Sequence, residues 1–112
     1  MQISERTEDA VPVVSITGDI DLETSPQLRT FLRAKASQKT PKLLLDFGGV
    51  NYIDSSGLAT LIEYFQSVQS SGGKLVLAAL SPRVKNVFEI VRLEQVFSLH
   101  PDIAAGLAAL KA

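Results

Sequence analysis

The chain has 112 residues, a length that fits one domain, residues 1–112, built on a single hydrophobic core. Eleven basic and twelve acidic side chains leave a net charge of −1, and no basic stripe is interleaved with aromatics, so nucleic acid is not an expected partner. The lack of cysteine excludes disulfides, thiolate nucleophiles and cysteine-based metal sites. No apolar run reaches the ~20 residues of a membrane helix, so no membrane partner is expected either. The first residues, Met1 to Arg6, lack the charged-then-apolar layout of a signal peptide, and the expected location is cytoplasmic.

Residues 2–7 predict a short first strand, with Glu8-Asp9-Ala10 as the turn after it. Residues 11–17 are rich in β-branched side chains and predict a second strand, with Pro12 at its start or on an exposed edge. Residues 18–24 follow as an acidic loop. Ser25-Pro26 then opens a helix, Ser25 as the cap and Pro26 at the first helical position. Leu28, Phe31 and Leu32 face the core, and Arg29, Arg33, Lys35 and Lys39 stay in water. Residues 43–47 form the apolar run of a strand covered on both faces, and Gly48-Gly49 breaks it.

Residues 50–53 end a buried strand and lead into Asp54-Ser55-Ser56, residue types that cap helices through their side-chain oxygens. A helix from residue 56 to about residue 70 follows, with Leu58, Leu61, Ile62, Phe65 and Val68 on one face. Gly72-Gly73 ends it. Residues 74–80 predict another buried strand. Ser81-Pro82 repeats the cap-plus-proline start, and Val84, Val87, Phe88 and Val91 mark the inward face of a third helix. Residues 95–99 predict the last strand, and Pro101-Asp102 opens a short helix with Ile103, Leu107 and Leu110 inward.

This alternation predicts an α/β fold: a mostly parallel central sheet, an antiparallel edge from the first strand, and about four helices. In such sheets, ligand and partner surfaces form outside the carboxyl ends of the parallel strands. Asp54-Ser55 and the loop after residue 17 both lie at such ends and are expected to share one surface. Free amides and the helix dipole at residues 55–56 favour an anion there.

Gly18-Asp19-Ile20-Asp21 after a β-branched strand, Asp54-Ser55-Ser56-Gly57-Leu58 opening a helix, and Ser81-Pro82-Arg83-Val84-Lys85 after a strand occur in a telling order and spacing. Over essentially its whole length the chain resembles the STAS family (sulfate transporter and anti-sigma factor antagonist), and within it the free-standing bacterial antagonists. The resemblance implies that Ser55 is phosphorylated by a partner that is both anti-sigma factor and serine kinase of the ATP-binding GHKL type. It implies that the unphosphorylated form binds this partner and frees the sigma factor, and that a separate serine phosphatase resets the cycle. The implied partner-binding residues are Gly18, Asp19, Ile20, Asp21, Leu22, Asp54, Ser55 and Ser56, with no cofactor and no catalytic residue. Gly48-Gly49, in place of bulkier polar residues, and Ala59, in place of a common glycine, depart from the family pattern.

Three other readings compete. Ser55 could be an unmodified cap in a STAS subunit of a signalling scaffold or of a lipid or anion transport complex. A hydrolase would need a base for Ser55 or Ser56, yet His100 is the only histidine, and the G-x-S-x-G elbow is missing. A metal site on Asp19, Asp21, Asp46 and Asp54 lacks calcium or zinc spacing.

Overall fold

The computed structural model describes residues 1–112. Five strands, β1 (Gln2–Glu8), β2 (Val11–Ile20), β3 (Lys42–Ile53), β4 (Lys74–Ala78) and β5 (Ser98–His100), lie side by side in chain order. β1 runs antiparallel to β2, and every other neighbouring pair is parallel. The crossovers carry α1 (Ser25–Ser37), α2 (Ser55–Ser71) and α3 (Pro82–Ile90), and α4 (Ile103–Lys111) follows β5. This is the expected α/β architecture, with its antiparallel edge and four helices.

The sheet divides the core in two. On one face α1, α2 and α3 bury Leu28, Leu32, Leu61, Tyr64 and Phe88 against Ile16, Leu43, Leu45, Phe47 and Leu77. On the other face α4 alone sets Leu107 and Leu110 on Val11, Val13, Leu44 and Val76. β3 therefore contributes alternate residues to both clusters, which is why its first half reads as an unbroken apolar run. Phe88 stands edge-on to Phe47 and Phe97, with ring centroids 6.3 and 5.8 Å apart.

Several boundaries differ from the sequence expectation, each for a local reason. β3 does not break at Gly48-Gly49; the strand runs through, and its pairing with β2 shifts between Ser15 and Thr17 and again between Gly18 and Asp19. These are β-bulges, in which β3 spends extra residues and twists more strongly. Gly49 makes that possible, since a Cβ there would stand 2.5 Å from Thr17 Cγ2 and 3.2 Å from the Ile16 carbonyl. β2 in turn continues through Gly18, Asp19 and Ile20, which are strand rather than loop. β4 stops at Ala78, because Ala79 turns into the left-handed region (φ 64°) and donates its amide to the His100 carbonyl. Residues 93–95 form a 3-10 turn, so the last strand is only Ser98–His100.

Side chains move accordingly. Ser25 is buried as the first residue of α1 and caps nothing; Thr24 stands at the cap position. Val91, expected inward, caps the end of α3 and is half exposed. Lys35 does not stay in water: its ammonium lies over the Phe31 ring, 5.6 Å from the centroid, and pairs with Glu5 at 2.7 Å. The caps at Ser81 and Asp102 form as expected, accepting from the Val84 and Ala105 amides.

Phe88 is fully buried among two other rings, so Phe88→Ala should lower unfolding free energy by about 3–5 kcal/mol. A urea melt of both proteins checks this; a loss under about 1 kcal/mol would mean that the aromatic cluster collapses around the gap.

Candidate functional site

β3 pairs with β4 only over Lys42 to Asp46, while its later residues pair with β2 alone. The ends of β2 and β3 thus project past the rest of the sheet, and Ile20 sits beside Ile53 at their tips. Both side chains are buried, so the two strands must turn away at the same level. β2 turns into the segment leading to α1, and β3 turns into α2. The Asp54 amide donates to the Ile20 carbonyl at 3.1 Å and ties the two turns together. The two acidic segments therefore do share one surface.

Asp54 is the cap of α2. One carboxylate oxygen, Oδ1, accepts from the Ser56 amide at 3.0 Å, the Gly57 amide at 3.2 Å and the Ser56 hydroxyl at 2.5 Å. The Ser56 hydroxyl, above all, holds this carboxyl below its ordinary value; partial burial opposes it, and the amides of Gly57, Ser56 and Leu22 add to the lowering. The helix starts one residue before the sequence suggests, so Ser55 occupies its first position. Ser55 is exposed, and its hydroxyl is not among the groups Asp54 holds. Two adjacent serines thus differ sharply: Ser56 is half-buried and tied to the cap, and Ser55 is free.

The facing segment is built around Asp21. Its Oδ1 accepts from the amides of Glu23 and Thr24, both at 3.0 Å, so the carboxylate folds onto its own turn. Thr24 Oγ1 accepts from the Asp21 amide at 2.9 Å and donates to the Asp19 carbonyl at 2.8 Å. Asp21 is consequently a shaping residue of this turn. Gly18 lies at φ 98°, a conformation that favours glycine, and a Cβ there would press on Met1. Ile20 has no exposed side chain and enters the site through its carbonyl. What faces solvent around Ser55 is Asp19, Leu22 (76% exposed) and Tyr52 (47% exposed).

Tyr52 was not legible as a site residue. In the pairing it lies beside Asp19, past the second bulge, whereas an unbroken register from Ser15 and Asp46 would set Val50 there. Thr24 was missed as well, though threonine three residues after aspartate is a known turn pattern. His100 lies elsewhere, its Nε2 2.7 Å from Ser98 Oγ. It lines an open cleft of about 800 Å³ with Leu80, Lys85, Glu89 and Glu94, and no residue around Ser55 reaches that cleft. The four aspartates do not converge: Asp46 accepts from Ser15 Oγ and the Gly48 amide, apart from Asp54 and Asp21.

The fold is that of a known class of domain. The STAS domain family model matches residues 2–106, and the chain belongs to that family. Among its relatives, the anti-sigma-B factor antagonist of Bacillus subtilis is 33% identical over 94 residues, covering 84% of this chain and 85% of that protein. The protein of the same description in Listeria monocytogenes is 30% identical over 99 residues, 88% and 86% of the two chains. A crystal structure of an anti-sigma factor antagonist from Mycobacterium paratuberculosis superimposes with a TM-score of 0.87 at 26% identity, covering 99% of this chain and 94% of that one. No helix here is long and apolar enough to cross a membrane.

The cap makes a pH prediction. A carboxyl lowered by folding adds stability that is fully present above its ordinary value of 3.8 and is lost as pH falls through the lower folded value. At neutral pH, Asp54→Ala should cost about 0.5–2 kcal/mol. The gap from the wild type should shrink once the pH drops below 3.8, as guanidinium melts across pH 7 to 3 would show. A gap that widens in acid would contradict the assignment of Asp54 as an ionised cap.

Proposed function

We propose that this chain is a cytoplasmic anti-sigma factor antagonist whose binding is switched by phosphorylation of Ser55. It acts as a substrate and ligand of its partner and performs no chemistry of its own. The observation that carries the reading is the contrast at the start of α2: the Ser55 hydroxyl is exposed and free, and its neighbour Ser56 is held by Asp54. A kinase can take the free hydroxyl without disturbing the cap.

The partner expected by analogy with the relatives is an anti-sigma factor, and the same protein acts as the serine kinase, of the GHKL type, with ATP as the phosphate donor. In the transfer step Ser55 Oγ attacks the γ-phosphorus of ATP, ADP leaves, and the serine proton passes to a base on the kinase. A serine phosphatase reverses the modification by hydrolysis. The footprint comprises Asp19, Asp21 and Leu22 on one side and Asp54, Ser55 and Ser56 on the other, with Gly18 and Ile20 shaping it from beneath.

Binding and release follow from desolvation. A neutral hydroxyl enters an interface at little cost. A phosphate of about −1.5 to −2 charge, without a new cationic partner, must shed its water beside Asp54, and a buried unpaired charge costs several kcal/mol. A loss of ~3–4 kcal/mol weakens binding by a few hundredfold. That is enough to release the partner.

Incubation with such a kinase, ATP and magnesium should yield one phosphate, located on Ser55 by tandem mass spectrometry. Full labelling of Ser55→Ala, or phosphate on Ser56, would end the assignment. Titration calorimetry should rank Ser55→Ala equal to the unmodified protein, Ser55→Asp weaker, and phospho-Ser55 weakest; equal affinities at the two extremes would rule out the switch.

Phosphorylation should leave the fold standing. An exposed anion at a helix start gains only about 0.3–1 kcal/mol, and repulsion from Asp54 opposes it. Thermal melts of the two forms should lie within a few degrees; a collapse would show that Ser55 is covered in solution.

A further inference from the structure

Gly57 is buried in the first turn of α2, against the ends of β2 and β3. A Cβ at this position would stand 2.7 Å from Ile20 Cγ2, 2.8 Å from Ile53 Cγ1 and 3.2 Å from the Ile20 carbonyl oxygen. Neither isoleucine can swing aside: both are buried, and a β-branched side chain is stiff at its first torsion. The third atom is the one that accepts the Asp54 amide, and the Gly57 amide itself donates to Asp54. Any group added at 57 therefore pushes the first turn of α2 away from β2 and stretches the bond that joins the two turns.

We infer that Gly57 is a positioning residue: its missing side chain sets the placement of Ser55 relative to the Asp19 to Leu22 segment. The consequence for the partner rests on the function proposed above; the geometric role does not. Helix propensity argues the opposite sign, because alanine is favoured over glycine within a helix. Only the contact with Ile20 and Ile53 makes glycine the better residue here. Ser55 stays exposed and chemically intact when the turn shifts, but a partner that reads both turns at once then meets them out of place.

Hydrogen exchange followed by NMR tests the geometry without any partner. In Gly57→Ala, the Asp54 amide should exchange about tenfold faster relative to the amides of Leu44, Leu45 and Leu77 in the sheet centre. Gly57→Ala combined with Ile20→Ala, which removes the nearest clashing atom and leaves Ile53 Cγ1 in place, should recover part of that protection. Unchanged protection at Asp54, a uniform loss across the sheet, a single variant that fails to fold, or no recovery in the double variant would each overturn the inference. A second arm uses the cognate kinase: Gly57→Ala should raise the KM for the protein substrate about tenfold with kcat little changed, and the double variant should lower it again. An unchanged KM would also overturn it. If the unmodified protein neither binds such a kinase nor accepts phosphate, while the exchange pattern appears as described, the proposed function fails and the positioning role of Gly57 stands.

Discussion

The hydrogen bond from the Asp54 amide to the Ile20 carbonyl is a small interaction that everything at the projecting end of the sheet depends on. It closes the last gap between two parallel strands that have outrun their neighbours. Parallel strands cannot be joined by a hairpin, so the turns at their tips belong to segments far apart in sequence. Nothing local holds them together. The buried pair Ile20 and Ile53 beneath, the glycine above and this one bond across do so.

Electrostatics then distinguishes between two hydroxyls that are equal in sequence. A helix start attracts negative charge, and here the site is already taken by Asp54, which uses the amides of Ser56 and Gly57. A second anion on Ser55 finds those donors engaged. It must stay in water and point outward, toward whatever approaches. The cap therefore serves stability and also leaves the Ser55 hydroxyl outside the network that holds the fold. Leu22 and Tyr52 are large apolar side chains left exposed at this same end of the sheet.

Much of this was legible in the chain. The strand-helix alternation, the capping residues Ser81 and Asp102 and the shared edge of the two acidic segments follow from periodicity and turn chemistry. What was not legible depends on pairing between distant strands. Gly48-Gly49 looks like a break in isolation, and only against Thr17 does Gly49 become a strand residue that permits close approach. Residues 18–20 look like a polar loop, yet pairing with β3 extends β2 through them and sends Ile20 into the core. Lys35 reads as a solvated cation because its partner, Glu5, lies far away in sequence, within β1. Tyr52 is hidden for the same reason, since a bulge resets which side chains stand together.

The outer strand β1 carries Glu5, Arg6 and Glu8 along an edge with no further neighbour, and these charges are matched within the molecule, Arg6 to Glu8 and Glu5 to Lys35. At the opposite edge β5 is only three residues long. An incoming strand from a second copy would have to disrupt paired charges on one side and finds almost no template on the other. Both edges of the sheet thus carry features that work against strand addition.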